Sequence, residues 1–307
     1  MTTITKKALL IGINYTSIPN ISLHGCINDV VNMRNMLIDA YDYDASAITM
    51  LRDDSSDATK LPTCANIMKQ LVLLVGQTAN LDEIWIHYSG HGSQINDIDP
   101  NKVANGTNKT MDDVIVPLDY STKGVITDFQ LLDCIRKINP RCRAIMFFDS
   151  CHSGTISDLP YVYDYSPKSI PPYSRTLVDK VQLQNSNIFV MSGCKDSQTS
   201  SDSYSTMLSE PVGAFSNAVM ECLRASHHNI SIIQLYQNVC ANLAAAGFQQ
   251  IPQLSSSSMN PTYVITKPVR TVTITLPGPG QGPVPGPAKN AQTKSVVQTI
   301  MKSVMQK

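Results

Sequence analysis

The sequence lacks the features of a membrane-spanning protein and of a polyanion binder. None of its apolar runs approaches the roughly 20 residues that a helix needs to cross a bilayer. Lysine and arginine (24) balance aspartate and glutamate (24), so bulk charge favours neither nucleic acid nor a membrane as a partner, and we expect neither. With 42% apolar and 16% charged residues, the chain still has the composition of a folded globular protein.

A zinc-binding cysteine pattern and a secretory leader are also missing. None of the eight cysteines stands in a C-x-x-C pair. The first residues, MTTITKKALLIGINY, place two lysines before an apolar stretch of about six residues, which is shorter than that of a signal peptide and has no small-residue cleavage site after it. We therefore expect free thiols in a reducing compartment and a cytoplasmic protein.

Short β-branched segments alternate with longer segments of helical periodicity. Buried strands are predicted at Ala8–Asn14, Ile48–Arg52, Ile84–Tyr88, Ala144–Asp149 and Ile188–Ser192. Helices are predicted at Cys26–Asp39, Cys64–Val75, Phe129–Ile138, Phe215–Ala225 and Ile232–Ala246. This alternation predicts an α/β fold with a mostly parallel central β-sheet flanked by helices on both faces.

Two stretches depart from the alternation. The segment 158–185 is rich in proline, tyrosine and serine, has little periodicity, and is predicted to be a long loop. Residues 277–287 read PGPGQGPVPGP, which indicates an extended linker. Beyond it, residues 291–306 have apolar residues near helical spacing, so we expect either a small amphipathic helix or a disordered tail.

Two of the predicted strands end in segments that carry reactive side chains. One runs into Ser-Gly-His-Gly-Ser, with His91 between glycines, and another runs into Asp-Ser-Cys-His-Ser-Gly, with Cys151. Because reactive groups gather past the carboxyl ends of parallel strands, we expect His91 and Cys151 to meet. A thiol beside an imidazole is a nucleophile–base pair, and the glycines leave backbone amides free to face a developing oxyanion.

These two segments resemble the catalytic motifs of metacaspases, the caspase-like cysteine peptidases of clan CD and family C14. Four further segments resemble the family in the same order: KALLIGINY, LHGCIND, DDVIVPLD and IPQLSSS. The chain has no proline-rich N-terminal segment, which many type I members have, but its short connection between the two subunit-like regions differs from type II. We therefore identify the resemblance as type-I-like.

The resemblance covers residues 6–267 and implies a domain organisation. A caspase-like peptidase domain is expected over 1–267, with a large-subunit-like region at 1–160, the loop at 158–185 and a small-subunit-like region at 186–267. The Pro/Gly-rich linker and C-terminal tail would then occupy 268–307.

The resemblance also implies catalytic roles. Cys151 would be the nucleophile, His91 the general base and acid, and the amides of Gly92 and Cys151 the oxyanion hole. The product would be a thioester acyl-enzyme that water hydrolyses. The family resemblance further implies a monomer whose substrates are polypeptides cleaved after arginine or lysine.

By match to the family, the residues of the S1 substrate-binding pocket are Cys26, Asp29, Ser89 and Asp149. A carboxylate two residues before the nucleophile would repel an acidic substrate side chain and complement a basic one. Other interpretations stay open. Asp29 would also suit the N-cap or first turn of the following helix, where the helix dipole favours an acid, and Asp149 could be purely structural.

Calcium is a further implication of the resemblance. The positions that match the family's calcium ligands are Asp112, Asp128 and Asp158, and Ca²⁺ prefers carboxylate oxygens. Phe129 stands where the family often has a second acid, so we expect a weakened calcium affinity. The alternative is that these aspartates are solvated loop acids.

The predicted loop 158–185 contains three basic residues that an enzyme with basic P1 specificity could cleave in itself: Lys168, Arg175 and Lys180. Alternatively, these are ordinary surface residues. Two other functions also stay open. One is a catalytically silent caspase-like module that acts by interaction. The other is a clan CD peptidase specific for asparagine, which the acidic pair disfavours because a neutral amide side chain needs no carboxylate.

Overall fold

The computed structural model describes residues 4–96, 111–150, 156–178, 181, 183–194 and 210–268, and the backbone of 202–205. Met1–Pro268 belong to one compact unit. The second unit, Val269–Lys307, contains most of the predicted linker and tail and lies outside the described residues. The proposed division of the chain at residue 267 stays a prediction.

Fifteen strands are present in the described part of the chain. They are β1 (Lys6–Gly12), β2 (Ile48–Arg52), β3 (Glu83–Ser89), β4 (Gly92–Asn96), β5 (Met111–Ile115), β6 (Ile126–Thr127), β7 (Arg143–Asp149), β8 (Tyr161–Tyr165), β9 (Tyr173–Leu177), β10 (Ile188–Ser192), β11 (Asp202–Ser205), β12 (Glu210–Gly213), β13 (Asn229–Ser231), β14 (Gln253–Ser256) and β15 (Val264–Thr266). The helices are α1 (Cys26–Tyr41), α2 (Cys64–Gly76), α3 (Tyr120–Lys123), α4 (Asp128–Ile135), α5 (Ala214–Ala225) and α6 (Ile232–Ala245). The five predicted strands and five predicted helices are therefore confirmed, with ends shifted by a few residues.

Eight of these strands form the central sheet, in the order β2-β1-β3-β7-β10-β14-β8-β9. The first five, which are the strands predicted from the sequence, pair in parallel. The last three pair antiparallel. Smaller sheets contain β4-β5-β6, β11-β12 and β13-β15. The result is an α/β architecture with a mixed sheet.

The core lies on both faces of this sheet because successive strand side chains point to opposite sides. Leu10 and Trp85 pack on one face with the buried sides of α1, α5 and α6. Leu9 and Ile86 pack on the other face with those of α2 and α4. The four inner parallel strands, β1, β3, β7 and β10, are therefore buried on both sides, which explains their hydrophobic runs. None of the helices in the described ranges combines the length and apolarity of a membrane crossing.

The prediction of a loop over 158–185 is wrong for residues 161–177. This stretch forms the antiparallel pair β8–β9, in which Tyr161 faces Leu177 and Tyr165 faces Tyr173. β8 also pairs with β14 and buries Val162 and Tyr163. Tyrosine and β-branched residues favour strands. However, β9 is an exposed edge strand, so its sequence lacks the alternation of apolar and polar residues that predicts a strand.

Candidate active site

The site lies where three neighbouring parallel strands end. In the sheet register, Gly12 of β1 is opposite Ser89 of β3, and Ser89 is opposite Asp149 of β7. The two reactive segments start from these ends, and the Gly90 N–H donates to the Asp149 carbonyl at 3.2 Å. The predicted convergence of the strand ends is therefore present up to Ser150. Cys151 itself lies outside the described residues.

His91 is held by hydrogen bonds at its ring and its backbone. Its Nε2 lies 2.7 Å from the carbonyl oxygen of Ile21. A carbonyl oxygen only accepts hydrogen bonds, so Nε2 carries a proton, and in the neutral imidazole the free lone pair is on Nδ1. The Tyr88 hydroxyl donates to the His91 carbonyl at 2.7 Å, and the His91 N–H donates to the Tyr15 hydroxyl at 3.1 Å. This histidine can therefore act as a base through Nδ1 while the rest of it is fixed.

Two buried tyrosines complete this support, and sequence reasoning missed both. The Tyr15 hydroxyl donates to the Val116 carbonyl at 2.6 Å and lies 3.2 Å from the Tyr88 hydroxyl. Burial, followed by the Coulombic effect of Tyr88, raises the pKa of Tyr15 well above its usual value, so its hydroxyl stays protonated. The only signal in the sequence was the position of each tyrosine beside a predicted strand end.

The four S1 candidates meet beside this histidine segment. Cys26 and Asp29 are in the first turn of α1, Ser89 ends β3, Asp149 ends β7, and all four are buried. The Ser89 hydroxyl donates to Asp29 Oδ2 at 2.6 Å. The N-terminus of α1 is capped by Asn14, whose Oδ1 accepts from the Cys26 N–H at 3.0 Å. The Asp29 carboxylate thus links three elements rather than capping its own helix.

Gly213, directly before α5, is the point where the two carboxylates converge. Its N–H donates to Asp29 Oδ1 at 2.9 Å. A Cβ at this position would lie 2.1 Å from Asp149 Oδ2 and 2.8 Å from Asp29 Oδ2. Any larger residue would displace an aspartate, so glycine is needed for the two side chains to approach. Two buried carboxylates therefore lie close together at the start of α5.

The predicted calcium residues occupy a separate region. Asp112 in β5 and Asp128 at the start of α4 are fully buried, which contradicts the alternative of solvated loop acids for these two. Asp128 accepts from the Asp113 N–H at 3.1 Å and from the Phe129 N–H at 2.8 Å. Within the described ranges, no three His, Cys, Asp or Glu side chains group as a metal site. The described side chains alone therefore do not supply a three-ligand calcium site. The third predicted ligand, Asp158, lies in a left-handed turn with φ 43°.

The predicted self-cleavage residues differ in accessibility. Lys168 is exposed in the turn between β8 and β9. Arg175 lies within β9, and its Nη1 donates to the Met259 carbonyl and to Asn260 Oδ1, both at 2.7 Å. A peptidase binds its substrate as an extended, unpaired segment, so Arg175 is poorly placed for cleavage in the folded chain. Lys180 lies outside the described residues.

Comparison with known proteins agrees with this arrangement. A family model for the metacaspase peptidase C14 domain matches residues 6–160. Metacaspase-1 of Scheffersomyces stipitis is 35% identical over 82% of this chain and 70% of its own length. Metacaspase-1 of Saccharomyces cerevisiae is 32% identical over 82% of this chain. The chain spans 66% of the length of that yeast relative.

Solved structures share the fold. A protein from Geobacter sulfurreducens superposes with a TM-score of 0.57 at 21% identity, covering 86% of this chain and 98% of the other. Caspase-1 from Spodoptera frugiperda superposes with a TM-score of 0.53 at 13% identity, covering 84% of this chain and 90% of the other. The fold is therefore caspase-like. With the family model covering half of its length, and relatives above 30% identity over most of it, the chain belongs to the metacaspase family.

Proposed function

We propose that this protein is a cysteine endopeptidase that cleaves polypeptides after arginine or lysine. The observation that carries the proposal is the buried pair Asp29 and Asp149 beside the segment that holds His91. Family membership supports the class of chemistry. The acidic pair supports the specificity, because a buried anionic pocket favours a cationic side chain and rejects an acidic one.

The chemistry follows from the fixed histidine. His91 Nδ1 takes the proton of the Cys151 thiol, and the thiolate attacks the scissile carbonyl carbon to form a tetrahedral intermediate. The resulting imidazolium keeps its Nε2–H on the Ile21 carbonyl and donates its Nδ1 proton to the leaving amine. The C–N bond breaks and a thioester remains. Water then attacks the thioester with His91 again as base, which releases the acid and the thiol.

The oxyanion would be stabilised by backbone amides. In this proposal the N–H groups of Gly92 and Cys151 point at the oxygen of the tetrahedral intermediate. The fixed backbone of the preceding residue supports this role for Gly92, because the His91 carbonyl accepts from both Tyr88 Oη and the Val116 N–H at 2.7 Å and 3.1 Å.

The test uses fluorogenic peptides that differ only at P1, with arginine, lysine, aspartate or asparagine, and Cys151→Ala as the inactive control. Turnover of the arginine and lysine peptides that the mutation abolishes is the expected result. Asp149→Asn should then lower kcat/KM for these peptides without creating activity on aspartate. If the wild-type protein turns over none of the four peptides, the interaction-module alternative replaces the peptidase. Turnover of the asparagine peptide alone would favour the asparagine-specific alternative.

Three further properties form part of the proposal. Calcium would activate the enzyme, with Asp112, Asp128 and Asp158 among its ligands, and Phe129 in place of an acid would weaken its affinity. Self-processing would use Lys168, because this residue is exposed in a turn whereas the Arg175 guanidinium is bound. We also propose that the protein acts as a cytoplasmic monomer, which light scattering and cell fractionation would test.

A further inference from the structure

His87 is a fully buried histidine that the proposed mechanism does not use. It lies in β3, two residues before Ser89, so both side chains leave the strand on the same face. That face carries the acidic pair and packs against α5. His87 therefore lies beneath the S1 pocket.

One nitrogen of His87 has a partner and the other has none. Nε2 lies 3.0 Å from the hydroxyl oxygen of Ser216 in α5. Nδ1 is buried and has no hydrogen-bond partner in the described part of the chain. A buried N–H without an acceptor costs more than a bare lone pair, which favours the tautomer with the proton on Nε2. His87 then donates to Ser216.

Ser216 is the connection between this histidine and the pocket. Its backbone N–H donates to Asp149 Oδ2 at 2.9 Å. Gly213, which precedes the same helix, donates to Asp29 at 2.9 Å. Both carboxylates are thus bound by amides at the N-terminus of α5, where the helix dipole stabilises negative charge. Any rotation or shift of this first turn would move both amides relative to the aspartates.

The histidine also adds no positive charge to the pocket. Desolvation by burial lowers the pKa of His87 to about 3, so it is neutral near pH 7. A lysine or arginine in its place would form an ion pair with the aspartates and compete with the substrate. A neutral donor fixes the helix without that competition.

We propose that His87 is a positioning residue of the S1 pocket, which acts through Ser216 to hold the first turn of α5 against Asp149 and so sets the preference for a cationic P1 side chain. This assignment rests on the proposed peptidase function and gives His87 a role in positioning Ser216 rather than in the bond-making steps. It predicts that His87 affects the recognition of charge and leaves the reactivity of Cys151 unchanged.

The experiment compares peptides with arginine or citrulline at P1, since citrulline has nearly the same shape and no charge. His87→Leu and Ser216→Ala each remove the hydrogen bond, whereas His87→Gln keeps a donor at the position of Nε2. His228→Leu is the matched control, because it removes a histidine that contacts the Tyr41 hydroxyl, beyond the far end of α5. Alkylation of Cys151 by iodoacetamide reports on the nucleophile, and melting temperatures report on folding.

We expect His87→Leu and Ser216→Ala to raise KM for the arginine peptide and to lower the arginine-to-citrulline ratio of kcat/KM by about tenfold. His87→Gln should restore most of the arginine-to-citrulline ratio. Alkylation rates of all variants should stay within about twofold of the wild-type rate. The double variant of His87→Leu and Ser216→Ala should have a ratio no lower than that of the more affected single variant. If His87→Leu does not fold, Ser216→Ala carries the test by removing a single oxygen atom.

Two results would overturn the assignment while leaving the peptidase in place. One is an arginine-to-citrulline ratio of kcat/KM that stays at the wild-type value in all variants. The other is an equal loss on both peptides together with slower alkylation, which would indicate a general structural role. A wild-type protein that cleaves no basic peptide would instead overturn the proposed function, and the role of His87 would fall with it.

Discussion

The rings of Tyr15 and His91 lie with their centroids 4.7 Å apart, and the Tyr15 hydroxyl accepts the backbone N–H of the same histidine. Tyr15 has a φ of 52°, which is uncommon for a residue other than glycine and costs about 1 kcal/mol or more. The left-handed turn at Tyr15 lies three residues beyond the end of β1, and the tyrosine contacts both the ring and the backbone of His91.

Tyr15→Phe keeps the ring and deletes the hydroxyl. We expect kcat to fall by about tenfold or more with little change in KM, because His91, the proposed general base, loses its orientation while the proposed S1 pocket is intact. Tyr43→Phe is the matched control, since it removes a buried hydroxyl that donates to Glu83, at the opposite end of β3 from His91 and about 20 Å away. Both variants should lose about 1–3 kcal/mol of stability, which denaturant unfolding would measure. Equal kinetic effects of the two variants would contradict a role for Tyr15 in orienting His91.

Gly213→Ala tests the convergence of the acidic pair. The new methyl group would overlap with the Asp149 carboxylate, so we expect kcat/KM for arginine and lysine peptides to fall by at least about tenfold. Gly76→Ala is the control, because a Cβ there meets no atom within 4 Å and alanine favours the end of α2. Steady-state kinetics on both variants would decide the matter, and an unaffected Gly213→Ala enzyme would place the pocket elsewhere.

Acid should destabilise the protein partly through His87. The folded-state pKa is about 3 and the ordinary value is 6.5, so between these pH values the unfolded chain binds a proton that the folded chain does not. The contribution of His87 to the free energy of unfolding is therefore fully present above about pH 6.5 and is lost as the pH falls toward 3. This loss amounts to about 1.4 kcal/mol per pH unit. Urea unfolding at pH 7, 6, 5 and 4 should show that the free energy of unfolding of His87→Gln depends less steeply on pH than that of the wild-type protein. The same pH dependence in both proteins would show that His87 is not buried in solution.

Calcium removal tests the remaining ligand prediction by two independent readouts. In EGTA we expect lower turnover and a lower melting temperature than in excess calcium, since a ligand at 100 times its Kd stabilises the folded state by about 2.7 kcal/mol. Asp128→Asn should abolish both responses. Asp133→Asn, an exposed acid on the same helix that pairs with Arg136, should retain them. Identical melting curves of the wild-type protein with and without calcium would remove the calcium site from the proposal.

The inner parallel strands could be predicted because they are buried on both faces. Ile188–Ser192 is a short apolar run that is buried throughout, and its ends in the structure match the sequence prediction. The edge strand Ile48–Arg52 also has the predicted ends, although only Ile48 and Leu51 are buried in it. The antiparallel half of the sheet was harder to predict from the sequence. In β9 only one end residue is partly buried and the others are exposed, so its alternation carries almost no hydrophobic signal.

The residues of the candidate site also divide into those that the sequence identifies and those that only the structure identifies. His91, Asp29 and Asp149 could be found because they stand in recognisable motifs beside strand ends. Ser216 and Gly213 could not, because their roles depend on a helix that is distant in sequence and packs against those ends. The role of Tyr15 depends on a backbone conformation with positive φ, which no pattern of side chains specified for a tyrosine.

The strand order has a consequence for what a cut at Lys168 would do. Such a cut separates β7 and β8 from β9, β10 and β14 along the chain, yet β8 lies between β14 and β9, and β7 pairs with β10. Neither fragment could leave without breaking two or more ladders of backbone hydrogen bonds. The nicked protein should therefore run as two bands on a denaturing gel and elute as a single particle, with the proposed S1 pocket assembled from both pieces.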